Sequence, residues 1–423
     1  MNKSTLSNGI TLITSSVSGV ESCTVQVFVR AGSRDEALRV GGLAHFLEHM
    51  VFKGTSRYPS AQAVSTAADS VGAEINASTD KERTAYHLKV TQKNIDLAFD
   101  ILSDMVFNPI LDEREIEREK GVIIQEIAMY EDLPTQKVCS SFEELLYGDK
   151  TSLGHDIAGK PANIKRVTKN DFVEFRKKLY RTENMVISVA GKFEQRKIEE
   201  LAEKWFALPA SGPAAPHPRA LGDLRHASVK LVTKKTEQAH LVLGFSGNPL
   251  GHKDRYVETV LSAILGGGMS SRLFTEVREK RGLAYYVNAS VQHYTDAGYL
   301  AARAGVELGK VEEAVSVILN EFRKMPNDQC QMTNKELWKA REYTKGRFLL
   351  SLEDTENVSD FFGEHYLLEG KLRTVGDVIA GIDKVTAEDV YRVAKEFFVP
   401  ERLNLAIVGP FKDKEKFEKI LKL

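Results

Sequence analysis

The sequence is poor in cysteine: Cys23, Cys139 and Cys330 are its only three in 423 residues, and none belongs to a Cys-x-x-Cys pair. That excludes a disulfide framework, suits a reducing compartment, and means that a metal site here would be built without sulfur. Charge of one sign is also missing. Lys and Arg number 58 against 59 Asp and Glu, a net charge of −1. Such a chain has no global field to draw it to nucleic acid or an anionic membrane. No apolar run reaches membrane-spanning length, and the stretch from Met1 to Leu6 lacks the basic-then-apolar pattern of a secretory signal. The expectation is a cytoplasmic protein that binds neither membrane nor nucleic acid.

What is present is ordinary globular material, 42% hydrophobic and 28% charged. The length is too great for one core and suits at least two domains. Four of the 12 prolines fall between Ala207 and Pro218, at the midpoint, and give that segment the composition of an extended linker. The flanking halves repeat each other. Ile75-Asn76-Ala77-Ser78 returns as Val287-Asn288-Ala289-Ser290, and each copy precedes a strand-like run and an amphipathic helix. Val167-Thr168, Asp171, Tyr180 and Gly191 return in order as Val385-Thr386, Asp389, Phe398 and Gly409. A shared order over this length argues for duplication. Strands open each half and long helices come after them, which predicts an α+β fold: two homologous domains, each with helices layered on a largely antiparallel sheet. The expected division is 1–206, a linker at 207–223, and 224–423.

The most informative stretch is His45-Phe46-Leu47-Glu48-His49, between Gly41-Gly42 and Gly54. The glycines predict one short helix. Its period puts the two imidazoles on one face with Glu48 beside them, the inverted zinc-peptidase pattern in which one helix supplies two ligands and a base. The second half has no such motif; its matching region reads Tyr256–Leu265 and then Gly266-Gly267-Gly268. That glycine run predicts a turn into a helix over Ser270–Lys280; no Gly-Lys-Ser/Thr comes after it to make a phosphate cradle. Two histidines leave a tetrahedral zinc one protein ligand short. The helix after Pro109 offers Glu126, which interrupts an apolar stretch, and Glu119, two turns earlier on the same face. One is a ligand and the other orients a histidine or water; periodicity does not separate them.

These motifs resemble the M16 metallopeptidases, in the small two-domain subfamily that includes mitochondrial processing peptidase and its bacterial relatives. The resemblance is carried by Gly42–Thr55, Gly72–Ala77, Glu117–Glu126, Leu265–Leu273 and Gly282–Tyr285, and it covers nearly the whole chain. It implies the M16/LuxS-like metallohydrolase fold and one Zn2+ per chain, held by His45, His49 and Glu126. Glu48 is then the general base and Glu119 supports the ligands from behind. It further implies that Arg278 holds a substrate carbonyl and Tyr285 donates to the oxyanion. Glu74, Asn76 and Ala77 form an edge to which a peptide adds as a strand. The implied function is a zinc endopeptidase for oligopeptides or unfolded segments, in a homodimer whose sites are completed in trans. The alternatives are a non-catalytic scaffold of the same fold and the zinc subunit of a heterodimeric processing peptidase. The stretch from Gln136 to Ser140 departs from the processing peptidases. It lacks the acidic residues that read a substrate arginine, which favours a general oligopeptidase.

Overall fold

Runs rich in β-branched residues form most strands of each half, apolar at the sheet centres and polar in the edge strands Asn2–Thr5 and Glu74–Thr79. The strands are β1 (Asn2–Thr5), β2 (Thr11–Ser16), β3 (Ser22–Val29), β4 (Glu74–Thr79), β5 (Thr84–Thr91) and β6 (Met185–Gly191), then β7 (Ser228–Thr233), β8 (Gln238–Gly247), β9 (Ala284–His293), β10 (Gly298–Glu307) and β11 (Leu403–Gly409). The computed structural model describes residues 1–213, 216–218, 227–327 and 332–422. Cys330 lies outside the described residues, as do 214–215 and 219–223 of the expected linker and 224–226 after it.

The strand order is β1-β2-β6-β3-β5-β4 in one sheet and β7-β11-β8-β10-β9 in the other. In each sheet one pair is parallel, β2 with β6 and β7 with β11, and all other pairs are antiparallel. Without β1 the two orders match strand for strand, so the duplication is written into the topology. The helices preceding β6 and β11 both start in a capping box, Thr168 with Asp171 and Thr386 with Asp389.

Two compact units result, and neither is continuous in sequence. The first comprises Met1–Ile127, His155–Pro218 and Ser351–Arg373; the second comprises Ala128–Gly154, Arg219–Leu350 and Thr374–Leu423. Four helices either carry the site or cross between the halves: α1 (Leu43–Val51), α2 (Glu113–Asp132), α3 (Pro134–Tyr147) and α4 (Thr355–Glu369). The first half supplies α3 to the second unit, and the second half supplies α4 to the first. Val138, Phe142, Leu146 and Tyr147 of α3 bury against Val242, Tyr299, Ala301, Ala406 and Val408 of the second sheet.

In the first unit α1 seats itself by burying Phe46, Leu47 and Met50, each fully buried, with the Phe46 ring edge-on to Phe172 at 5.0 Å. Each such side chain contributes about 1.5–3 kcal/mol. The contact of α4 with its sheet adds polar pairs to buried Val358, Phe361 and Phe362. Thr24 and Thr355 hydroxyls are 2.8 Å apart, and Ser188 and Ser359 exchange hydroxyl-to-carbonyl bonds at 2.8 and 3.1 Å. A row of basic residues on β5 and the turn before it faces acidic residues of α4 and its cap, with His87 held below its ordinary pKa chiefly by burial. Arg83 lies 2.9 Å from Glu364, His87 3.5 Å from Glu356, and Lys89 3.0 Å from Asp354.

The segment expected to be a plain helix over Ser270–Lys280 instead contains a π-helical stretch, Phe274–Glu279. Its wider turn carries Arg278.

Candidate metal centre

α1 sits between Gly42 and the turn after Val51, and its period brings His45 and His49 together with ring centroids 4.7 Å apart. The chain after α1 is tied down by Asp104, which is fully buried. Its Oδ2 accepts from the Thr55 hydroxyl at 2.6 Å and from the Arg57 backbone N–H at 2.7 Å. α2 then brings two carboxylates to the histidines. Glu126 Oε1 is 3.7 Å from His45 Nε2, and Glu126 Oε2 is 3.3 Å from His49 Nε2. Glu119 stands behind: its Oε1 is 2.9 Å from His49 Nδ1, and Lys53 Nζ is 2.6 Å from its Oε2. The two glutamates that periodicity left interchangeable therefore face different nitrogens of one ring.

These residues fit a zinc ion. Four ligands at about 2.0–2.1 Å in a tetrahedron stand about 3.3 Å from one another. The ligand atoms of His45, His49 and Glu126 lie within 4.8 Å of one another, with the nearest pairs close to the tetrahedral spacing. With its Nδ1–H donated to Glu119, a neutral His49 would keep its Nε2 lone pair for a metal ion. Glu48 Oε2 is buried and has no hydrogen-bond partner among the described residues. A carboxylate oxygen left so implies a further occupant of the site.

The electrostatics separate the two histidines. Burial, aided by the neighbouring His49, pushes His45 below its ordinary pKa against the pull of Glu126, Glu48 and Asp156. Burial also acts downward on His49, but the Glu119 hydrogen bond and the charges of Glu126, Glu119 and Glu48 outweigh it, and the net displacement is upward. For Glu119, burial would raise the pKa; the hydrogen bonds and charges of His49 and Lys53 overcome that and hold it below the usual range. Sequence reading assigned no role to Lys53, although it falls one turn beyond His49. It also missed the hydroxyl pair of Tyr86 and Tyr180, 2.7 Å apart. Burial chiefly keeps both phenols protonated, with the charge of Glu48 adding to it, and raises Tyr180 to about 12.

The expected peptide edge and the Arg/Tyr pair lie away from these ligands in sequence. β4 is an edge strand, paired only with β5 among the described residues; Glu74 and Asn76 are exposed on it while Ala77 is buried. In the second unit the Arg278 guanidinium lies 5.6 Å from the Tyr285 ring centroid and 4.9 Å from that of Phe274. Tyr285 is 73% exposed. No helix among the described residues is long and apolar enough to cross a membrane.

A duplicated α+β scaffold with an inverted histidine motif on one copy defines the class, a two-domain metallopeptidase scaffold. Comparison with known proteins agrees. Residues 11–155 match the family described as insulinase (peptidase family M16), and residues 166–343 match the peptidase M16 inactive domain. Two relatives named as uncharacterized zinc proteases align along almost the whole chain. The one from Streptomyces coelicolor is 35% identical, covering 98% of this chain and 90% of its own. The one from Bacillus subtilis is 36% identical, covering 96% and 97%. Among solved structures, a protease from Helicobacter pylori superposes with TM-score 0.89 at 24% identity, covering 97% of this chain and 99% of that one. A chain of complex III2 from Candida albicans shares the fold at TM-score 0.86 and 18% identity, each chain fully covered. The chain belongs to the M16 metallopeptidase family, in its small two-domain form. The family and the names of these relatives support a zinc protease.

Proposed function

We propose that the chain is a zinc-dependent endopeptidase cleaving oligopeptides or unfolded segments. His45, His49 and Glu126 are the metal ligands, Glu48 is the general base, and Glu119 orients His49. The observation that carries this reading is the convergence of two Nε2 atoms and one carboxylate beside the unpartnered Glu48 Oε2. Zinc bound there supplies a Lewis acid that polarises water and the scissile carbonyl. Glu48 takes a proton from the attacking water at its carboxylate and returns it to the leaving amide nitrogen. Glu119, held ionised by Lys53, keeps the His49 Nδ1 proton in place and so preserves its tautomer. An extended peptide would add to the open edge of β4, so that recognition falls on backbone more than side chains.

Arg278 and Tyr285 are proposed to grip a substrate carbonyl and to donate to the oxyanion. The exposure of Tyr285 and the pairing of the two side chains support this. Since one chain carries both this pair and the metal ligands, a homodimer with sites completed in trans is the proposed assembly. A cytoplasmic location suits Cys23 and Cys139, both free. The test combines metal analysis, light scattering after size exclusion and hydrolysis of a quenched-fluorescent peptide by the purified chain. A zinc-loaded, active homodimer is the expected result. A metal-free, inactive protein would establish the scaffold alternative, and activity only with a partner subunit would establish the heterodimer.

A further inference from the structure

α1 carries His45, Glu48 and His49 on only nine residues, too few to be rigid alone, so its ends decide where those side chains point. The first turn of any helix leaves N–H groups without helical partners. A Ser, Thr, Asp or Asn at the capping position usually accepts from them. Here that position is Gly42, with φ 98°, and a Cβ on it would meet the Ala158 carbonyl oxygen at 2.5 Å and Ile164 Cδ1 at 2.7 Å. The site therefore excludes every residue able to cap with its own side chain. Glu36 does the capping from outside the helix. Its Oε2 accepts from the Gly42 N–H at 2.7 Å and its Oε1 from the Ala44 N–H at 2.6 Å. The Glu36 side chain is fully buried, and His155 Nε2, which donates to the Ser33 carbonyl at 2.8 Å, lies 3.6 Å from its Oε2. A carboxylate at a helix N-terminus also meets the positive end of the helix dipole.

We propose that Glu36 is a positioning residue for the metal centre. By holding the first turn of α1 through both carboxylate oxygens, it fixes the azimuth and depth of His45 and the aim of Glu48. The inference rests on the zinc-peptidase reading above, and Glu36 itself touches neither metal nor substrate. The opposite end of the site has its own anchors, Glu119 on His49 and Asp104 on the chain after α1, so the loss of Glu36 falls on His45 first.

The test compares wild type, Glu36→Gln, Glu36→Asp and Asp254→Asn, the last a carboxylate in the second unit. Zinc affinity is read by competition with a chromophoric chelator, ligand geometry by the visible spectrum of the Co2+ form, and kcat and KM on a peptide. Glu36→Gln turns an amide NH2 toward one of the two backbone donors. The expected result is zinc binding weaker by about 10–100-fold, with a changed Co2+ spectrum. The fall should be in kcat, with KM changed by less than about twofold. Asp254→Asn should keep wild-type zinc affinity, which separates positioning from general loss of stability. Wild-type affinity and spectrum in Glu36→Gln would overturn the proposal, as would an equal loss in Asp254→Asn. Where Glu36→Gln fails to fold, Glu36→Asp keeps the charge but withdraws it from the helix, and the same criteria apply. A wild-type protein that binds no zinc would instead defeat the zinc-peptidase reading, a distinct outcome.

Discussion

Glu119 and Glu126 share a face of α2, yet one faces the Nδ1 of His49 and the other the Nε2. The difference is testable. Glu126→Gln should abolish stoichiometric zinc uptake. Glu119→Gln should retain it with affinity lower by about 10–100-fold, measured by chelator competition. Glu48→Gln separates binding from chemistry. On the proposed roles it should keep the metal, with Glu48 outside the ligand set, and lose about 100–10,000-fold in turnover for want of a base to move the proton. Metal content measured beside peptide hydrolysis checks both halves of that statement; residual wild-type turnover would remove Glu48 from its role.

Among the elements, α4 is the one whose sequence gives least notice of its place. Gly363 allows it to approach β3: a Cβ there would meet the Phe28 ring at 2.1 Å. Gly363→Ala should therefore destabilise the first unit by about 1–3 kcal/mol through overpacking, read from thermal or urea unfolding. In the second unit Asp254 precedes the helix Arg255–Gly266 and binds Arg392 of the helix Ala387–Phe397 through two bonds of 2.9 and 2.6 Å. The Arg392 hydrogen bonds hold the Asp254 carboxyl below its ordinary pKa despite its burial. A group depressed on folding contributes stability that is complete above its unfolded pKa, about 3.9, and is lost as pH falls through the lower folded value. Asp254→Asn should be less stable than wild type at pH 7, and the gap should close as both are taken below about pH 4. An unchanged gap in acid would show that the pair is not titrating.

For the whole molecule, zinc is expected to bind the folded chain and to find no assembled site once unfolded, so the melting temperature should rise with free zinc and fall on chelation. A melting curve indifferent to zinc would contradict the site. The trans assembly predicts complementation. His45→Ala and Arg278→Ala, each inactive alone, should regain part of the wild-type activity when mixed and allowed to exchange subunits. Exchange without recovery would refute sites completed between copies.

The sequence by itself determined the spacing of His45, Glu48 and His49, because a helical period is a local property and glycines mark its ends. It also determined the duplication, since two copies of one fold keep the same order of apolar runs and caps. It did not separate Glu119 from Glu126 by pattern, because two residues seven apart on a helix point nearly the same way; the family resemblance points to Glu126, and the fold turns the two carboxylates toward different nitrogens of the His49 ring. Tertiary structure alone decided that α3 and α4 cover the sheets of the opposite halves, since the face of a helix does not name the sheet it will meet. It alone widened the turn at Phe274–Glu279 into a π-helix. It alone brought Glu36 to the first turn of α1, because a cap supplied from outside the helix depends on where the chain folds back, and no local period records that.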